Sequence, residues 1–537
     1  VYFRVIVEHE NGETQDLLRR VLDPARRPSD RRWFDNDVDL SDLAGHTVRL
    51  RFSTEPAQEG DTRPSLPVWG DPRVLAPSAR RRPSIVLVSL DTLRARSMSA
   101  YGYELETTPF LSELATRGAL FEKAFTTFSN TLPSHMSMLT GLYPARHAVH
   151  SILDALGAEH GTLAEALRSG GYVTAAFTED ALLDARRGFW RGFSTYFEDT
   201  SIRDGAGAAE STFGRGLEWI GRHADEPFFV FLHTYQVHMP YKPPVEYQGF
   251  FTGPDAPERD HLQQAYEQEI RYTDDLMKRL VEGLARVVPP EELVLVVTAD
   301  HGEEFREHGV GTHHQLYEEV MHVPLIMVAP GRIPAGRRVA TPVSLVDIAP
   351  TVLALADVPP PAPLDGLSLL PSSNGSGAGF DRQVVFGEFP RSGWVREPHY
   401  VARGADTKCM LSQSGQSDVC FDLRDDPNEL RPRPPQDTIE FSNVHALGDA
   451  YRRRSIAAQQ AVEDARARKR AAAQAAAARR AHVVEPASAP PADAAAPADA
   501  AAADAQAAPE AATATDDAAP APSDDIENKM RALGYIE

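Results

Sequence analysis

Between Phe128 and Gly141 the chain reads FSNTLPSHMSMLTG. A hydroxyl, Thr131, stands two residues ahead of Pro133, at the head of a helix-like run. Proline is favoured in a first helical turn, where its missing N–H costs nothing, so Thr131 is expected just ahead of a helix N-terminus. That end carries free backbone N–H groups and the positive end of the dipole, which suits phosphate or sulfate. A threonine there is either a plain helix cap or a nucleophile facing an oxyanion ester. As a nucleophile it needs activation, and a divalent cation can lower the hydroxyl pKa and polarise the ester. Hard cations take carboxylates, while manganese and zinc also take imidazole. Asp91, Asp300, His301 and Thr131 itself make a four-ligand set for one divalent ion: Mn, Ca or Zn. Each has a plainer reading alone, Asp91 as a helix cap and Asp300-His301-Gly302 as a turn.

The elements that carry these residues argue for the joint reading. SIVLVSL (84–90), PFFVFLHTY (227–235), ELVLVVT (292–298) and VPLIMVAP (323–330) are short apolar runs, suited to strands buried on both faces. Between them lie helical patterns, including YEQEIRYTDDLMKRLVEGLARVV. Strands alternating with helices predict an α/β fold with a mostly parallel sheet flanked by helices. Ligands bind such sheets beyond the C-terminal strand ends, where Asp91, His238, Asp300 and His301 all fall.

The flanks differ in character. Residues 1–75 read as an all-β accessory sandwich. In it VYFRVIVE and TVRLRFST alternate, Asn11-Gly12 marks a hairpin turn, and Trp33 and Trp69 are expected in the core. These tryptophans could instead line a glycan or surface site. Residues 76–84 form a Pro/Arg-rich linker, and 85–455 the catalytic domain. Residues 456–523 begin as a basic helix and continue as an Ala/Pro/Asp-rich segment too poor in apolar side chains for a core, hence disordered. A terminal helix is expected over 524–537, with Met530, Leu533 and Ile536 on one face.

A formal charge of −22 argues against non-specific nucleic-acid binding, and no apolar run reaches transmembrane length. The first residue, Val1, opens directly into strand-like sequence, so a signal or anchor segment is expected to have been lost. Cys409 and Cys420 flank a turn at Ser414-Gly415, and they are either a cross-strand disulfide or two buried thiols. The first implies an oxidising compartment. A periplasmic or extracellular place in the cell envelope, membrane-anchored through the missing N-terminus, is the expectation.

Several stretches together resemble the sulfatase family of the alkaline phosphatase superfamily. They are SIVLVSLDTLRARSMSAYGY, TLPSHMSMLTGLYPARH, VHMPYKPP, VVTADHGEEFREHG, LYEEVMHVPLIMVAPG and VSLVDIAPTVLALADVPPP. The order is that of the family, from about Pro83 to about Asp426. The resemblance implies metal ligation by Asp91, Asp300 and His301 and substrate contact by His238. It offers His313, or its neighbour His314, for the same oxyanion, and His308 as support behind the metal. Two departures stand out. The family's C/S-x-P-S-R becomes Thr131-Leu132-Pro133-Ser134-His135, so formylglycine is not expected, and His135 takes the arginine's place toward substrate. Thr92 follows Asp91 where many members have a second aspartate. Threonine at the nucleophile position resembles phosphoethanolamine and phosphoglycerol transferases and nucleotide phosphodiesterases.

The expected activity is therefore metal-dependent hydrolysis or transfer of a phosphate or sulfate ester through metal-bound Thr131, with phosphoryl and phosphodiester chemistry favoured. The substrate is a small, glycan-linked or lipid-linked ester. A sulfuric ester hydrolase working without formylglycine and a catalytically inactive envelope binding protein are the alternatives.

Overall fold

The protein is described from a computed structural model covering residues 1–27, 38–56, 67–70, 82–179, 182–200, 207–252, 259–370, 384–389 and 399–483, with a few single residues between these stretches. It divides into two compact units, Val1–Pro77 and Ser78–Glu537.

In the first unit, Tyr2–His9 pairs antiparallel with both Thr14–Val21 and Val48–Glu55. Gly12 closes the hairpin at φ 85°, a conformation glycine adopts without strain. Val5 lies opposite Phe52 and Val7 opposite Leu50, as the alternating pattern requires. Trp69 packs edge-on against Phe3 and Phe52, at 5.2 and 5.3 Å between ring centres, which fits the core reading. Trp33 lies outside the described residues. Among the described residues this unit holds one three-stranded sheet; the second layer of the expected sandwich is not among them.

The second unit is built on an eight-stranded sheet. Its order is Arg337–Val339, Ala119–Phe121, Leu325–Val328, Leu293–Thr298, Ser84–Leu90, Phe228–Thr234, Val173–Glu179, Thr195–Asp199. Leu325–Val328 runs antiparallel to its neighbours, and every other pairing is parallel. Each residue of Ser84–Leu90, Phe228–Thr234 and Leu293–Thr298 is buried. Two covered faces explain why these strands are apolar without alternation. They are adjacent, so Asp91, His238 and Asp300-His301 leave the sheet side by side.

The helix His261–Ala285, capped by Asp260 at Leu262 N and Gln263 N, braces this edge. Its Tyr266 hydroxyl donates to Thr92 O (2.8 Å) and accepts from Arg94 N (3.0 Å), fixing the turn after Asp91.

A second sheet orders Val385–Phe389, His399–Arg403, Thr407–Ser412 and Val419–Asp422, all antiparallel. Cys409 is the register partner of Cys420, and the two form a disulfide across eleven residues. Closing a loop of roughly that length removes about 2–3 kcal/mol of unfolded-state freedom. Reduction, or the Cys409→Ala/Cys420→Ala pair, is expected to lower unfolding stability by that amount in urea titration. An unchanged midpoint would mean that the bridge is not formed.

The helix Ile439–Val483 lies on this sheet through Phe441, Val444 and Tyr451. The domain boundary expected at 455 therefore falls inside one 45-residue helix, and the basic segment continues it. The 76–81 part of the linker, the Ala/Pro/Asp-rich segment from 484 onward and the 524–537 helix lie outside the described residues. Among those described, no helix is long and apolar enough to cross a membrane.

Candidate active site

Thr131 is the first residue of the helix Thr131–Thr140, with Asn130 as its cap, so it lies inside the first turn and not ahead of it. Pro133 is the third helical residue, where a missing N–H is still harmless. Ser134 pins the helix: its hydroxyl donates to Asp300 O (2.7 Å) and lies 2.9 Å from Thr126 Oγ1. The threonine is thereby tied to the strand end that carries Asp300 and His301.

Thr131 Oγ1 donates to Asp91 Oδ2 at 3.2 Å and lies 3.4 Å from His301 Nε2. Ligand atoms of Asp91, Asp300 and His301 all lie within 4.8 Å of one another, and all three residues are buried. Among the described residues Asp91 Oδ1 and Asp300 Oδ2 accept no hydrogen bond, though His301 Nε2 lies 3.3 Å from Asp300 Oδ2. Two buried carboxylate oxygens that accept no hydrogen bond are costly unless a cation meets them, and the donor set of two carboxylates, one imidazole and one hydroxyl fits a divalent ion.

Burial and the charge of Asp300 push the Asp91 carboxyl well above its ordinary range. Asp300 is the charged partner: burial opposes its ionisation, but His301, His135 and His233 bring it down to about 2. His301 donates Nδ1–H toward Gly302 O (3.0 Å), which turns Nε2 to the ligand atoms of the two aspartates. Thr92, at φ 56°, turns its hydroxyl to Val237 O (3.0 Å) and its N–H toward Asp300 Oδ1 (3.4 Å).

His238 and His313 stand beside this cluster. Their ring centres are 5.5 Å apart, and His313 lies 4.5 Å from His301. His238 Nδ1 engages Met239 O (2.6 Å), and burial lowers its pKa to about 4, so the ring is neutral. Burial also drives His313 well down. His314 is half-buried, 5.5 Å from His313 and 6.5 Å from Phe389, so the geometry favours His313 for the oxyanion position.

Two of the expected site residues have settings that the sequence did not suggest. His135 does not reach outward: its ring is fully buried behind the helix, with Nδ1 on Thr131 O (2.8 Å) and Nε2 on Ser89 Oγ (2.9 Å). Both ring nitrogens are engaged by the helix and the sheet, Thr131 O among them. His308 belongs to a separate cluster with Glu319 and Glu429, stacked on Tyr317. There Arg96 meets Glu319 (2.7 Å) and Lys408 meets Glu429 (2.8 Å), so the chain supplies its own cations. Metal titration is expected to give one tight site per chain, lost in Asp300→Asn and kept in Glu319→Gln. Two equivalents, or a site that survives Asp300→Asn, would contradict this assignment.

Sequence reasoning passed over His233 and Glu303. His233 lies near the end of its strand, level with Ser89 and Thr298, and its Nε2 is 3.1 Å from Asp91 Oδ2. A histidine interrupting the apolar run PFFVFL was the available signal. Glu303, fully buried, accepts from Tyr241 OH (2.8 Å) and faces His313 Nδ1 (3.4 Å).

The fold has known relatives. Residues 83–358 match the family described as Sulfatase, and residues 306–442 the one described as N-sulphoglucosamine sulphohydrolase, C-terminal. The chain is 25% identical over 437 residues to Homo sapiens Arylsulfatase K, covering 66% of this chain and 81% of that protein. Among solved structures it is similar to the phosphonate monoester hydrolase of Agrobacterium radiobacter. That likeness has a TM-score of 0.60 at 22% identity and covers 71% of this chain and 96% of the other. It is also similar to a protein solved with its substrate D-glucosamine-2-N,6-O-disulfate, with a TM-score of 0.61 at 18% identity, covering 70% and 98%.

Proposed function

The chain belongs to the sulfatase family, and from that premise we propose that it is a metal-dependent ester hydrolase or transferase whose nucleophile is the Thr131 hydroxyl, acting by preference on phosphate esters and diesters. One observation carries the reading: Thr131 Oγ1 sits 3.2 Å from Asp91 Oδ2 and 3.4 Å from His301 Nε2, at a helix N-terminus. Asp91, Asp300, His301 and Thr131 would hold one divalent cation. Bound there, such an ion lowers the pKa of a hydroxyl and draws charge from an ester oxygen.

Thr131 Oγ, its proton lost to solvent, attacks phosphorus in line. The Oγ–P bond forms as the P–O bond to the leaving group breaks. Backbone N–H groups at the helix start face the negative charge that builds on the peripheral oxygens. His238 and His313 stand where they can hold those oxygens. His135 and Ser134 keep the threonine in place through Thr131 O and Asp300 O. Water, or an acceptor hydroxyl, then attacks phosphorus and restores Thr131.

A sulfate ester is the second reading, favoured by the likeness to Arylsulfatase K. The test is an assay of the metal-loaded enzyme on aryl phosphate, phosphodiester, phosphonate and sulfate series beside Thr131→Ala. Phosphorus substrates turned over fastest, and lost in the variant, would support the first reading. Sulfate turned over fastest would transfer the assignment to the second. The Cys409–Cys420 bridge supports an oxidising compartment, hence the periplasm or cell exterior.

A further inference from the structure

His238 sits on a loop that leaves the strand Phe228–Thr234, and one buried carboxylate from another element holds that loop on both sides of it. Glu269 lies on the helix His261–Ala285 and is 2% exposed. Its Oε2 accepts from the side-chain amide of Gln236 (3.0 Å), ahead of His238 in the chain. Its Oε1 accepts from the backbone N–H of Lys242 (2.8 Å), beyond His238. The Gln236 amide is oriented from its other end. Its Oε1 accepts from Ala209 N (3.2 Å), a backbone donor at the start of the helix Ala209–Arg222, so its NH₂ is the group that faces Glu269. The chain ahead of that helix presses on the loop at the same place: a Cβ at position 207, which Gly207 lacks, would fall 2.1 Å from the Gln236 backbone.

Between the two anchors the loop is tightly tied. His238 N donates to Tyr235 O (2.9 Å), Val237 O accepts from Thr92 Oγ1 (3.0 Å), and the His238 ring meets Met239 O (2.6 Å) within the same span. A shift of Gln236 or Lys242 is therefore passed to the backbone that sets the ring. Among the described residues no Lys, Arg or His pairs with Glu269, and burial raises its pKa to about 7 against the effect of its two donors. A buried carboxylate held without a counter-charge is costly for a helix that needs only packing. From this geometry we infer that Glu269 is a positioning residue for His238, a brace that fixes, through Gln236 and Lys242, where the His238 ring meets the peripheral oxygens of the ester. The inference rests on the His238 role proposed above. It requires no bond or proton transfer at Glu269, only two accepted hydrogen bonds.

Exchanging the two side chains gives a sharp test. In Glu269→Gln the introduced amide cannot serve both donors, because either orientation sets its NH₂ against an N–H. In Gln236→Glu two carboxylates face each other. In Gln236→Glu/Glu269→Gln every donor regains an acceptor: the introduced amide accepts from Lys242 N and donates to the introduced carboxylate, which still accepts from Ala209 N.

The metal-loaded enzyme is assayed with an aryl phosphate at about pH 8.5, where Glu269 is ionised. Each single variant is expected to lower kcat/KM by about 10²-fold, the scale of misplacing a group by about 1 Å, and the exchange to recover at least about tenfold of that loss. A purely structural role would also be rescued, so the deciding background is His238→Ala. There Glu269→Gln is expected to change kcat/KM by less than about threefold, while urea titration shows the same loss of stability with or without the ring. Gln236→Ala, which frees one end of the brace and keeps the charge, is expected to show the same non-additivity and takes the place of Glu269→Gln if that variant does not fold. Carbon-13 NMR of ring-labelled histidine reads the position apart from turnover: the His238 signal moves in Glu269→Gln and returns in the exchange. Equal costs with and without the His238 ring, no recovery on exchange, or an unmoved His238 signal would overturn the inference. A His238→Ala variant with wild-type kcat/KM would instead remove His238 from the oxyanion role, and the ring signal alone then decides on the brace: moved supports it, unmoved overturns it.

Discussion

Thr131→Ala is expected to lower kcat/KM by at least about 10⁴-fold while weakening metal binding by no more than about tenfold. The split follows from what the hydroxyl does. In the proposed reaction no other side chain forms the covalent ester, so its loss removes the chemical route. Asp91, Asp300 and His301 remain to hold the cation, and they are positioned by strand ends that the threonine does not support. The buried His135 ring, bonded to Thr131 O and not to its side chain, keeps the helix in place. Thr131→Ser retains the nucleophile and loses a buried methyl, so activity within about a hundredfold of wild type is the companion expectation. Steady-state kinetics with calorimetric metal titration reads both. Turnover of Thr131→Ala near wild type would remove the threonine from the reaction.

The second large effect falls on metal capture and its pH dependence. In the metal-free protein, burial and the facing charge of Asp300 push Asp91 well above the usual carboxylate range, so the pair keeps its proton to higher pH than a free carboxylate does. A cation binds the deprotonated form and must displace that proton. Affinity therefore rises with pH, by about tenfold per unit, as long as Asp91 is protonated in the free protein, and it falls as the solution is acidified. Calorimetry in buffers of different ionisation enthalpy is expected to show proton release on ion binding that grows as the pH is lowered. Asp91→Asn is expected to bind at least about 10²-fold more weakly, with no such release. A pH-independent affinity in the wild type would contradict the description of the pair.

The sequence exposed the frame of the site more clearly than its interior. Asp91 and Asp300 were legible because each ends an apolar run whose lack of alternation marks a parallel strand covered on both sides. Such strands deliver their next residue to the ligand-binding edge. The disulfide was legible as one of two options, and the register of Cys409 against Cys420 decided it.

His135 was misplaced because its type and position, four residues after Thr131, fix only the helix turn it occupies. Whether the ring points to solvent or back to Thr131 O depends on Ser89, which another strand supplies. His233 and Glu303 carry no local pattern of their own. Their partners, Asp91, Tyr241 and His313, lie between 10 and 142 residues away and meet them only once the sheet is assembled. The boundary expected at 455 follows composition. That change comes after Phe441, Val444 and Tyr451, through which the Ile439–Val483 helix packs on the second sheet, while the helix itself runs on.

The central claim is that Thr131 becomes esterified during turnover. The direct measurement is to mix the metal-loaded enzyme with an activated aryl phosphodiester, quench in acid within the burst, digest, and locate the added mass by tandem mass spectrometry. The account predicts one phosphoryl adduct, on the Thr131 hydroxyl, stoichiometric with the burst of phenol and absent from Thr131→Ala. An adduct on another residue, or a burst with Thr131 unmodified, would contradict it.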